Sequence, residues 1–154
     1  MLQLSRKLFV VLVSCLLGMQ SLSAQTTTTL PGCDDFDWNP IMNAIIEHES
    51  KGNPNVVNGP YVGVLQIAPV LVKGVNQILA SRGSSLRYTL NDRRNAQKSK
   101  EMFIIMMSKF NPEHNEEKAI RIWAGGPGYS VRGTQKHVNN IMAIKRRQAQ
   151  KKGQ

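Results

Sequence analysis

From Trp38 onward, apolar side chains return every three or four residues, the spacing of helices that bury one face. The first such stretch opens with Asn39 as a candidate cap and Pro40 at the first helical position. Ile41, Ala44, Ile45 and His48 share its inward face, and Gly52 and Pro54 stop it. A second helix is predicted from Pro69 to about Ser81, burying Val70, Leu71, Val75, Ile78 and Leu79. A third runs from about Asp92 to Lys109 on Ala96, Phe103, Met106 and Met107 or Phe110. Pro112 opens a short fourth helix ending at Trp123, and a fifth extends from about Thr134 into the basic tail on Val138, Ile141, Met142 and Lys145. Between the first two, Asn55 to Ile67 alternates turn residues with short apolar runs, which suits a small hairpin or an irregular loop. The pattern predicts a mainly α domain with at most a minor β element, and no repeat of helix-pair length is present.

The ends of the chain read differently. Arg6 and Lys7, an apolar run from Leu8 to Met19 and the small residues Ser21 to Ala24 form the order of a secretory signal peptide, 1–24. The run is shorter than the roughly 20 apolar residues that span a bilayer. Leu12 to Cys15 resembles a lipobox, but Leu16 to Met19 stays apolar where a lipoprotein turns polar. The polar stretch 25–37 reads as a linker, 38–144 as the folded domain and 145–154 as a basic tail. With the signal removed, Cys33 has no cysteine partner, so roughly 130 residues must be held by their core alone.

Charge narrows the set of partners. The chain carries a net +10, and removing Arg6 and Lys7 leaves +8 on the remainder. A basic chain inside a cell suggests nucleic acid. Outside the membrane the anionic material is wall and envelope, so those are the expected partners and nucleic acid is not, with Lys145 to Lys152 as the contact.

One segment raises a chemical question. In Ile45 to Pro54, Glu49 lies four and eight residues after Ile45 and Ile41 and so shares the apolar stripe. Glu47 is turned about 200° away, toward solvent or the helix flank. Burial and the negative end of the helix both favour the protonated form of Glu49, the state a general acid needs. A carboxyl that merely closes the helix is the plain alternative.

The residues that follow bear on that choice. Glu49-Ser50, Asn53-Pro54 and Gly63 to Ile67, then Asp92-x-x-Asn95, Trp123 to Gly126 and Thr134-x-x-His137-Val138, stand in the order of a known domain. Over about Asn39 to Ile144 the chain resembles the soluble lytic transglycosylase domain family of the lysozyme-like superfamily. The resemblance implies cleavage of the β-1,4 bond between N-acetylmuramic acid and N-acetylglucosamine in peptidoglycan strands, with 1,6-anhydromuramoyl ends as product. It makes Glu49 the single acid, then base, and gives substrate contacts to Ser50, Gln66, Tyr61, Trp123 and His137. No cofactor or metal is implied, and His48, His114 and His137 lack a metal-binding spacing. It also implies an exported, periplasmic or envelope setting, where secretion or conjugation machinery is a conceivable partner. Three positions depart from the family pattern: Leu65 stands for Met, Ala124 for Asn and His137 for Tyr. A hydrolytic lysozyme on the same fold and a non-catalytic wall-binding module are the competing readings.

Overall fold

The computed structural model describes residues 29–153; the signal-peptide and lipobox readings fall on residues outside that range. Five α-helices carry the described chain: α1 (Asn39–Ser50), α2 (Pro69–Ser81), α3 (Ala96–Phe110), α4 (Glu116–Gly125) and α5 (Val131–Lys152). A two-residue hairpin, β1 (Val57–Asn58) and β2 (Tyr61–Val62), lies between α1 and α2, pairing Val57 with Val62 and Asn58 with Tyr61. The protein is mainly α, as the apolar periodicity predicts. No helix among the described residues is long and apolar enough to cross a membrane.

Helix α1 is the core element. Ile41, Met42, Ala44 and Ile45 are buried, and α5 packs along it while also covering α4. Each of the buried isoleucine and methionine side chains contributes about 1.5–3 kcal/mol. On the other side, α2 lies on α3. Phe103 of α3 meets Trp38 and Trp123 at ring-centroid distances of 5.7 and 5.0 Å, joining the start of α1 to the end of α4.

Several boundaries differ from the periodicity reading, for local reasons. Asn39 is the first helical residue rather than a cap, and Asp37 Oδ1 accepts from its backbone N–H at 3.0 Å. Val70 is exposed and Val72 takes its place in the core, so the inner face of α2 starts one residue later in phase. Asp92 and Thr89 form a capping box on a separate 3₁₀ turn, Leu90–Arg94, and Asn95 caps α3, leaving Ala96 exposed. Asn115 caps α4, with Glu116 and Glu117 in the first turn where the helix dipole favours them, so Pro112 lies in the preceding turn. Ser130 caps α5 through Gly133 N–H, starting that helix one turn before Thr134.

The division of the chain also changes. Residues Leu30 to Asp37 pack on the domain rather than linking to it: Arg82 donates to Pro31 O at 2.7 Å, and His114 pairs with Asp34 at 2.7 Å and stacks on Phe36. Helix α5 runs without a break through residue 144 to Lys152, into the basic segment as the periodicity predicts. Lys145 pairs with Glu116, Arg147 with Glu47, and Gln148 donates to Glu47 at 2.6 Å. The first turn of the basic segment therefore belongs to the packing of α5 on α4 and α1. Truncation after Ile144 is expected to lower the Tm, whereas truncation after Gln150 leaves it unchanged. Calorimetry of the two shortened chains checks this.

Candidate active site

The site is built on the end of α1 and the loop that follows. Lys51 and Gly52 adopt left-handed backbone (φ 55° and 83°), which turns the chain back over the helix end. Ser50 is buried and clamps that turn: its Oγ donates to Val64 O at 2.8 Å and accepts from Gly52 N–H at 3.1 Å. Gly63 lies so close to the 3₁₀ turn that a Cβ there would stand 1.8 Å from Arg93 O. The Arg93 side chain reaches back to Pro60 O at 3.0 Å and Ile67 O at 3.1 Å. Glycine and arginine thus seat the loop from both directions.

Gln66 completes the loop. It holds φ 49°, a conformation costing a non-glycine residue about 1–2 kcal/mol. Its side-chain nitrogen donates to Gly63 O at 2.9 Å and Val56 O at 3.2 Å, which offsets the strain. Both amide protons are spent on the backbone, so Gln66 offers a ligand only its carbonyl oxygen.

Glu49 opens into a cavity of about 230 Å³ whose other walls are Asn58, Tyr61, Leu65, Gln66, Trp123, Ala124 and His137. Among these lining residues it is the only carboxylate. Its carboxyl has no hydrogen bond or ion pair among the described residues, and burial pushes its pKa above the ordinary glutamate value. Glu47, two residues earlier, is the reverse case. The hydrogen bond from Gln148, followed by the charge of Arg147, holds it below the usual carboxylate range. A carbon-detected NMR titration is expected to give Glu49 a midpoint above about 4.3. A midpoint at or below that value would remove the basis for a proton-carrying Glu49.

The sequence-derived residues divide clearly. Glu49, Gln66, Tyr61, Trp123 and His137 come together around this cavity, from α1, the loop, α4 and α5. Ser50 does not line it, and its hydroxyl is consumed by the loop clamp. The Ser50 substrate contact is therefore corrected to a structural one. Tyr61 is about half exposed at the rim, while Trp123 is half-buried with its Nε1 donating to Leu65 O at 3.2 Å. Sequence reasoning did not single out Asn58 or Arg93; the contacts of Arg93 span more than twenty residues, and no local pattern signals them.

The cavity does not stand alone. Tyr61, Gln66, Trp123 and Ala124 also border a larger groove of about 710 Å³ between α2, α3 and α4, floored by Leu71, Ile78, Met106 and Ile122. The two adjoin through these four residues into one trough, and Glu49 lines the smaller part of it. No group of three His, Cys, Asp or Glu side chains among the described residues is placed to share a metal ion. Comparison with protein-family models, with curated proteins and with solved structures gives no match.

Proposed function

We propose that the chain is an exported peptidoglycan lytic transglycosylase of lysozyme-like fold, with Glu49 as its acid and base. The observation that carries this reading is a lone, half-buried, unpaired carboxyl with a raised pKa in a cavity that adjoins a groove of about 710 Å³. Glycosidases that use water commonly employ two carboxyl groups. No second one lines either part of this trough, among the described residues. A single group suffices when the nucleophile is part of the substrate.

The reaction then balances on one side chain. Protonated Glu49 gives its proton to the glycosidic oxygen as the bond from that oxygen to C1 breaks. The C6 hydroxyl oxygen of the same muramoyl residue bonds to C1, and its proton passes to the Glu49 carboxylate. The acid is restored, and no water is consumed. Holding O6 and C1 in one ring lowers the entropic cost of the attack. Tyr61 and Trp123 offer faces for sugar rings at the rim and wall. The exposed Arg146, Lys151 and Lys152 at the end of α5 supply charge toward an anionic wall.

Digestion of purified wall followed by mass spectrometry tests the reading. Muropeptides lighter by one water than reducing-end products are expected. Reducing ends alone would make the protein a hydrolase, and an intact wall would remove the enzymatic reading.

A further inference from the structure

One polar atom in the cavity wall has no role in the acid–base scheme. His137 Nδ1 is buried with no hydrogen-bond partner among the described residues. The ring's other nitrogen, Nε2, also makes no hydrogen bond among the described residues but is less deeply buried, and the His137 side chain is part of the cavity wall. His48 of α1 meets the ring edge-on, with centroids 5.6 Å apart and planes at 72°, and so restricts its rotation.

These facts bear on where the proton sits. A neutral imidazole carries one N–H, and its other nitrogen is an acceptor. A proton on Nδ1 would be a buried donor with nothing to receive it. A proton on the less buried Nε2 keeps access to an acceptor and leaves only a lone pair unsatisfied. The second arrangement costs less, because an N–H withdrawn from water without an acceptor loses a strong interaction outright.

Two other side-chain donors of the cavity wall are already committed to the backbone. Both Gln66 amide protons go to Gly63 O and Val56 O, and Trp123 Nε1 goes to Leu65 O. Gln66 Oε1 remains as an acceptor. A ligand amide needs one of each, an acceptor for its N–H and a donor for its C=O.

We propose that His137 is held as the Nε2–H tautomer and is the specificity-determining donor of the cavity, bonding the carbonyl oxygen of an acetamido group on the sugar beside Glu49, with Gln66 Oε1 facing that group's N–H. The inference rests on the glycan reading of the trough and adds the group by which one sugar is recognised. His48 acts through His137 as a positioning residue.

The test has two arms. In the first, long-range ¹H–¹⁵N NMR of the histidine side chains, with the pH raised until shifts stop moving, reads the tautomer. The His137 signals are assigned by their loss in His137→Gln. An Nε2–H pattern that shifts when an N-acetylglucosamine tetramer is added is expected; an Nδ1–H pattern overturns the inference. In the second arm, His137→Gln, whose amide nitrogen reaches the Nε2 position, should keep most of kcat/KM on purified wall. His137→Asn and His137→Phe should lose about tenfold, mainly through KM, because one neutral hydrogen bond is at stake. The alkaline limb set by Glu49 should not move. Equal losses in the Gln and Phe variants overturn the donor role. If the wall stays intact while the tetramer shifts the Nε2–H signal, the transglycosylase reading fails and the tautomer assignment stands. Cleavage by a chain with an Nδ1–H ring overturns this inference alone.

Discussion

Glu49→Gln is expected to lose at least about 10²-fold in wall cleavage, because the amide keeps the shape of the side chain but cannot give or take the proton. The same substitution should stabilise the fold at neutral pH, and the sign follows from burial. The native state holds the Glu49 proton at pH values where the unfolded chain has released it, since the folded pKa is the higher one. Wild-type stability therefore falls as pH rises through the folded value, when an unpaired charge forms in the cavity. The Gln variant escapes that loss, so its advantage is present at neutral pH and vanishes below the unfolded value of about 4.3. Glu47→Gln is the control with opposite behaviour on both counts. It should keep activity, and it should lose stability at neutral pH, because Gln148 and Arg147 favour the Glu47 carboxylate. That contribution is present above the unfolded pKa and disappears as pH falls through the folded one. Denaturant melts at two pH values and a turbidity assay read both effects. An active Glu49→Gln enzyme, or an inactive Glu47→Gln enzyme, would exchange the roles assigned to the two carboxyls.

Gly63→Ala is the second large effect, and it arises from the loop rather than the chemistry. Two costs combine at this position. The backbone has φ 84°, which an alanine pays for by about 1–2 kcal/mol. The new methyl would also meet the Arg93 carbonyl oxygen at 1.8 Å and its carbon at 2.9 Å, both backbone atoms that no rotamer change can move. Overpacking of this kind typically costs about 1–3 kcal/mol, giving a total of about 2–5 kcal/mol. That is a large share of the 5–15 kcal/mol that holds a typical domain together. Gly52→Ala isolates the backbone part: its φ is 83°, yet nothing lies within 4 Å of the added Cβ. Thermal unfolding should rank wild type, Gly52→Ala and Gly63→Ala in falling order, with the larger gap between the last two. Equal Tm values for the two variants would mean that the 3₁₀ turn yields freely to the loop. Gly63→Ala should also impair cleavage, since Leu65 and Gln66 hang on the same loop.

Much of this protein is legible in the order of its side chains because helices are local. Ile41, Ala44 and Ile45 recur at the helical period and are buried, and the extent of α2 matches the stretch between Pro69 and Ser81. The orientation of Glu49 follows from the same arithmetic, since a residue eight and four positions after two core isoleucines turns toward the interior. Starts of helices were harder to read. Asn115 stands between His114 and Glu116 with no apolar residue beside it to draw attention, and Gly133 in the first turn of α5 resembles a break rather than a helical residue.

Other features depend on distance through space, and no spacing along the chain encodes them. The family resemblance gives Ser50 a substrate contact, yet its hydroxyl turns away because Val64, fourteen residues on, offers it a buried carbonyl. The partners of Lys145, Arg147 and Gln148 are not marked by any spacing along the chain; Glu116 and Glu47 meet them only once α5 lies against α4 and α1. The loss of the amide protons of Gln66 to the backbone, and the burial of one nitrogen of His137, are likewise tertiary outcomes. By itself, then, the sequence determined a mainly helical chain with an inward carboxyl at the end of its first core helix. Only the tertiary structure decided which polar atoms remain unspent around that carboxyl, because a hydrogen bond is satisfied by whatever partner the fold brings within about 3 Å, however far away it stands in the chain.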